Sequence, residues 1–417
     1  MRLPVALVVV LVLTGCAGRG IPSAKEPLPP QPGMTLSCDE PCGRSLLPAG
    51  PKTFEPTLAA FDGGLLMAVS RFEADPLAVG ARAQELWRST DAGLTWTRTW
   101  TSDGWRAAGN PFAACTVVGD PVAAAGTRLL AGGLAANPGL AGGAIPWVVA
   151  SDDGGASWGA PVAVARGTPD CVAPPAPGDS VADKPVLAAR GDVAFMAWRN
   201  AQAAPGLPAT LHIAASRDAG RTWALSEVGS LGGASPGSAL VAPDGTWWLA
   251  ASDLDGGHVL LAMSADQGGA WTVTDLGRTA NPFPAVAWNG SAVVAFSREG
   301  GGERDPALAW PGHEPLALAN ASGVYPHVAA EAVGTAIVVA ATVGTGAALE
   351  RQAWMVQDGQ VVGSVTLGPV EVTGTGVTAY GDYFGMAQVA GGAFTVWGCG
   401  PADAAQVCGG LLRLTST

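Results

Sequence analysis

Four octapeptides constrain this chain more than any other feature of it. Ser89-Thr90-Asp91-Ala92-Gly93-Leu94-Thr95-Trp96 and Ser151-Asp152-Asp153-Gly154-Gly155-Ala156-Ser157-Trp158 are the first two. Ser216-Arg217-Asp218-Ala219-Gly220-Arg221-Thr222-Trp223 and Ser264-Ala265-Asp266-Gln267-Gly268-Gly269-Ala270-Trp271 complete the set, and all share Ser-x-Asp-x-Gly-x-x-Trp. The aspartates Asp91, Asp153, Asp218 and Asp266 are 62, 65 and 48 residues apart. The pattern reads as a tight turn between two strands. Asp bonds turn amides, Gly takes a positive φ, and the tryptophans Trp96, Trp158, Trp223 and Trp271 cover the adjoining strands.

A looser repeat precedes each octapeptide: an apolar strand, a Gly turn and a second strand. It begins at Glu55-Pro56-Thr57, Asp120-Pro121-Val122 and Asp183-Lys184-Pro185. It returns near Ser238, Pro284, Pro326 and Tyr383, which makes seven starts. The 59 Gly and 33 Pro spread over 417 residues exclude a helical bundle or an ordinary α/β enzyme, and 48% hydrophobic residues exclude disorder. Radial repetition of four-stranded units predicts an all-β propeller of six or seven blades, seven by unit count. The last unit holds three strands, ending in Leu411–Thr415. A strand near Met34–Leu47 is expected to complete it and close the ring.

The octapeptide resembles the Asp box (BNR repeat) of the sialidase superfamily. The resemblance implies boxes on the periphery, away from substrate, so Asp91, Asp153, Asp218 and Asp266 are structural. It also implies six blades and a site that clamps a substrate carboxylate with three arginines. A tyrosine nucleophile assisted by a glutamate, and an aspartate acid/base, would complete that site. The first clamp arginine belongs in a Phe-Arg-Ile-Pro-like motif. Here Thr53-Phe54-Glu55-Pro56-Thr57 puts a carboxylate in its place. Arg71, Arg199 and Arg298 follow second strands and are the candidate clamp, with Tyr383 the candidate nucleophile.

The residues opening the inner strands are Glu55, Asp120, Asp183 beside Lys184, Asn281, His327, and Asp382 beside Tyr383. Such a ring repels an anionic sugar and attracts a cation. Three readings of Glu55, Asp120, Asp183 and Asp382 stand: staples to the next blade, a Ca²⁺ or ligand site, and glycosidase carboxylates. No cofactor is required by the sequence. Gly-x-Ser-x-Gly, P-loop, His-Glu-x-x-His and dinucleotide motifs are missing.

Residues 1–16 have Arg2, an apolar run from Val5 to Leu13, and Leu13-Thr14-Gly15-Cys16, which resembles a bacterial lipobox; residues 1–15 are the expected signal peptide. Cleavage before Cys16 and its lipidation are expected, with residues 16–50 a Pro/Gly-rich tether and residues 51–417 the propeller. By resemblance to lipoprotein sorting, Ala17 in place of an Asp implies an outer membrane, if the cell has one. The body carries no apolar run of ~20 residues. Cys38, Cys42, Cys115, Cys171, Cys399 and Cys408 are expected to form disulfides in an exported chain. The pairs put forward are Cys399–Cys408, Cys115–Cys171 and Cys38–Cys42. A net charge of −12 argues against nucleic acid as a partner. The expectation is a monomeric envelope lipoprotein whose propeller binds a glycan or protein without sialidase chemistry. The alternative is an exo-α-sialidase-type glycoside hydrolase, and the third is an assembly role in the envelope.

Overall fold

A computed structural model describes residues 34–48, 52–72, 83–106, 112–115, 117–136, 144–164, 180–202, 209–255, 257–279, 283–300, 303–319, 324–345, 348–371, 384–400 and 405–416. These form seven four-stranded antiparallel sheets, the blades of a propeller. The inner strands of blades 1 to 7 are Lys52–Phe61, Val117–Ala125, Ser180–Arg190, Ser235–Val241, Ala285–Trp288, Val324–Val333 and Gly385–Val389. In blades 1 to 6 the chain moves outward strand by strand. Blade 7 borrows its outer strand from the other end of the chain: Met34–Ser45 pairs with Gln406–Ser416. Seven blades are one more than the sialidase resemblance implies.

The blades hold together through the apolar faces between them. Leu66 and Ala68 of blade 1 pack with Ala123, Ala131 and Trp147 of blade 2. Phe195 of blade 3 stacks on Trp247 of blade 4, with centroids 4.5 Å apart and planes 13° from parallel. Trp147, Trp198, Trp247 and Trp397 are fully buried. Aromatics of this size bury roughly 150–250 Å² each, so four of them dominate the seams. Where blades 4 and 5 meet, a Cβ at Gly237 would collide with the carbonyl oxygen of Pro284. Only glycine permits that approach.

Each octapeptide joins the third and fourth strands of its blade. Two consecutive residues take the left-handed backbone: Ala92 and Gly93, Gly154 and Gly155, Ala219 and Gly220, Gln267 and Gly268. That pair of positive φ values matches the right-handed twist of the strands it connects. Third strands run parallel to inner strands, so all four turns lie on the face opposite the inner-strand starts.

Cys38–Cys42 and Cys399–Cys408 are bonded, both in blade 7. Cys115 is also disulfide-bonded, and its expected partner Cys171 lies outside the described residues. Residues 1–33, with Cys16 and the segment read as an export signal, lie outside them too. Among the described residues no helix is long and apolar enough to cross a membrane.

Candidate functional site

The inner strands converge on one face, and there three of them are distorted in the same way. Glu55, Asp120 and Lys184 have φ of 57°, 50° and 53°, and each precedes a proline. Each sits in a bulge, where the register slips between Phe54 and Thr57, Gly119 and Val122, and Asp183 and Val186. A non-glycine residue held left-handed costs about 1–3 kcal/mol and persists only where its surroundings over-determine it. The distortion falls on three charged residues, one or two positions ahead of Thr57, Pro121 and Pro185, with which the lining of the axial channel begins in these strands. The position matching Glu55 and Asp120 is Lys184, not Asp183, because the proline fixes the bulge to the residue before it.

The bulges of blades 2 and 3 are joined. The Lys184 amide donates to Asp120 Oδ2 at 3.3 Å, and its Nζ lies 3.9 Å from the same oxygen. Nζ is also 4.0 Å from Asp183 Oδ1 and 5.6 Å from the ring centre of Phe283 in blade 5. Lys184 thus reaches past blade 4 along the rim. Glu55 Oε2 accepts from Ser70 Oγ at 3.1 Å. Among the described residues no three His, Cys, Asp or Glu side chains gather as metal ligands. Asn281, Asp382 and Tyr383 lie outside them, and of the His327 side chain nothing is described.

The three arginines are each set against carboxylates of their own blade. Arg71 Nη2 lies 2.6 Å from both carboxylate oxygens of Asp103, and its Nε is 3.4 Å from Glu85 Oε1. Glu85 is 2% exposed and also accepts from Arg98 Nη1 at 2.8 Å. Arg199 Nη1 stands 4.0 Å from Asp183 Oδ2, while its Nε donates to the carbonyl of Gly233 at 3.2 Å. Arg298 Nη2 donates to the buried Asp305 at 3.3 Å. Ser297 Oγ, Arg298 Nε and Asp305 Oδ1 are buried there and bonded to no described atom. Arg351, fully buried in blade 6, stacks 4.9 Å over the Phe384 ring. Asp103, Glu85, Asp305 and Phe283 escape sequence reasoning, because only hairpin register or ring closure brings them to the arginines and to Lys184.

Below the mouth runs a channel of about 600 Å³ lined by all seven inner strands. Its wall is built largely of small residues, with Ala59, Ala124, Ala188, Ala287 and Ala387 among the lining, and presents polar and apolar surface in near-equal measure. Glu331 of blade 6 interrupts it. Burial pushes the Glu331 carboxyl up to about 7, against the opposing pull of the Ala332 amide it accepts from.

The octapeptide carboxylates do a different job on the far face. Asp153 Oδ1 accepts from the Ser157 amide at 2.9 Å and from Ser151 Oγ at 2.8 Å. Asp218 bonds the Thr222 amide and Ser216 in the same way. Hydrogen bonds from the Ser157 and Thr222 hydroxyls, then their amides, hold both carboxyls down to about 2. Asp91 and Asp266 repeat the geometry.

No protein-family model matches the chain, and no curated protein matches it. Solved structures do. A Trypanosoma rangeli sialidase in complex with 2,3-difluorosialic acid, a covalent intermediate, is 16% identical with a TM-score of 0.51. The alignment covers 91% of this chain and 58% of that one. An α-L-arabinanase of Penicillium chrysogenum complexed with arabinobiose is 16% identical with a TM-score of 0.51, over 73% of this chain and 94% of that one. The chain therefore spans little more than half of the sialidase, and at this identity the likeness is one of fold. The chain folds as a sialidase-like β-propeller.

Proposed function

We propose that this chain is an exported lipoprotein, anchored through Cys16, whose propeller mouth binds a glycan and does not retain sialidase chemistry. One observation carries the second half of the reading. Arg71, Arg199 and Arg298 each face a carboxylate of their own blade. A sugar carboxylate would have to displace Asp103, Asp183 or Asp305 before a guanidinium fork engaged it. A rim carrying both carboxylates and cations beside Phe283 suits the hydroxyls and apolar ring face of a neutral sugar instead. The solved arabinanase, of like fold, is complexed with the neutral arabinobiose. No Ca²⁺ is part of this reading, and binding is expected to survive chelation.

The competing reading is an exo-α-sialidase with Arg71, Arg199 and Arg298 as clamp and Tyr383 as nucleophile. Purified protein incubated with a fluorogenic sialoside separates the two. No release is expected. Release that Tyr383→Phe abolishes would overturn the binding-only reading. On an array of neutral and sialylated oligosaccharides, retention of neutral ones, lost in Asp183→Asn at unchanged melting temperature, is the positive result. For the anchor, Cys16→Ser should leave the protein unlipidated and out of the detergent phase.

A further inference from the structure

The strand Met34–Ser45 runs antiparallel to Gln406–Ser416, with Met34 opposite Ser416 and Ser45 opposite Cys408. Gln406–Ser416 is the third strand counted outward in blade 7 and runs from the mouth to the far face, as every third strand does. The chain therefore enters the propeller on the octapeptide face, opposite the mouth. Cys16 precedes Met34 by 18 residues, which reach no further than ~65 Å when fully extended.

The surface flanking that entry is unusual. Among the described residues, five large hydrophobic side chains are exposed, and three of them lie beside blade 7. Leu94, at 57%, tips the octapeptide turn of blade 1, and its neighbour Gly93 abuts Phe394 of blade 7. Val361 and Val362, at 38% and 44%, begin the outer strand of blade 6 just after its far-face turn. A Cβ on the next residue, Gly363, would stand 3.7 Å from Cβ of Leu36, two residues past Met34. Leu94 on one side of blade 7 and Val361 and Val362 on the other thus flank the chain's entry on this face. Exposed apolar residues that share a region mark a contact surface more often than scattered ones do.

The geometry points to the rim of Leu94, Val361 and Val362, flanking the chain's entry at Met34, as the surface that lies against the bilayer carrying the Cys16 lipid, with the mouth turned away from it. This rests on the lipoprotein reading above. With a net charge of −12 the chain gains nothing from anionic headgroups, so the contact is apolar and indifferent to salt.

The test uses the full lipidated chain in phosphatidylcholine vesicles containing an acceptor-labelled lipid. A donor dye is placed at Asp62→Cys, in a far-face turn, or at Leu254→Cys, in a mouth-face turn. Energy transfer is expected to be at least twofold greater from position 62, and unchanged between low and high salt. Equal or greater transfer from position 254 would overturn the orientation. Unaltered transfer in Val361→Glu/Val362→Glu protein that melts normally would overturn the rim. Failure of the anchor reads differently: the full chain would not float with vesicles, or Cys16→Ser would float equally well. In that event a hexahistidine at residue 17 on nickel-chelating lipid reports the orientation by itself, with the same two outcomes.

Discussion

Asp120 and Lys184 join blades 2 and 3 twice over: Asp120 Oδ2 takes the Lys184 amide at 3.3 Å and stands 3.9 Å from its ammonium. Both residues are left-handed and precede prolines. The acceptor of one bulge thus fixes the backbone of the next. Removing it leaves a half-buried amide without this partner and relaxes a strained turn, two effects of opposite sign. Asp120→Ala is expected to lose about 1–2 kcal/mol, read as a fall in the urea midpoint. Asp120→Asn keeps an acceptor oxygen and should lose less. Loss of oligosaccharide binding with an unmoved midpoint would assign Asp120 to the ligand instead.

The tryptophans divide by depth. The octapeptide tryptophans cover strands without entering the core. Trp158 and Trp223 are half-buried on the rim, with Nε1 donating to Thr99 Oγ1 at 3.1 Å and to the Gly220 carbonyl at 3.2 Å. Trp247 lies wholly inside the seam of blades 3 and 4. Trp247→Ala is expected to cost about 3–5 kcal/mol, and Trp158→Ala roughly 1–3. Calorimetry on the two variants should preserve that order, and equal losses would show that the rim contacts matter as much as the core.

Blade number was legible because the apolar strand, Gly turn and second strand recur seven times, with a proline at the inner-strand start in blades 1 to 6, from Pro56, Pro121 and Pro185 to Pro236, Pro284 and Pro326. The closing strand was legible as well, since a last unit of three strands demands a fourth. Register was not. Asp183 and Lys184 are adjacent charges, and which one enters the bulge depends on where the ladder slips. Nor were the partners of the arginines. Asp103 is 32 residues beyond Arg71 and Asp305 seven beyond Arg298, separations that mean nothing until hairpins fold them together. Glu331 hid among alanines, because alternation cannot show that both faces of an inner strand are covered.

The octapeptides make stability depend on acid. Asp153 and Asp218 are held down to about 2 by hydrogen bonds, first from Ser157 and from Thr222. Lowered carboxyls contribute stability that is full above their unfolded values near 3.8 and is lost as pH falls toward 2. Melting temperature is expected to drop steeply between about pH 4 and pH 2. In Asp153→Asn/Asp218→Asn the drop should be shallower, because two of the titrating groups are gone. A slope identical to the parent protein would mean these bonds are formed equally in the unfolded chain.

Glu331 should act in the opposite sense. Its carboxyl is raised from 4.5 to about 7 by burial in the channel wall, so the folded state prefers it neutral. Its contribution to stability is intact below about pH 4.5 and is lost as pH climbs through 7, because the unfolded chain ionises first. A glutamine side chain in its place would keep the shape and an acceptor for the Ala332 amide without a charge to desolvate. Glu331→Gln should therefore match the parent at pH 4.5 and exceed it by about 1–3 kcal/mol at pH 8, the upper figure applying if channel water solvates the carboxylate poorly. Urea titrations of both proteins at the two pH values decide it. Coincident curves at pH 8 would show that water in the channel hydrates Glu331 fully, and burial would then play no part in its titration.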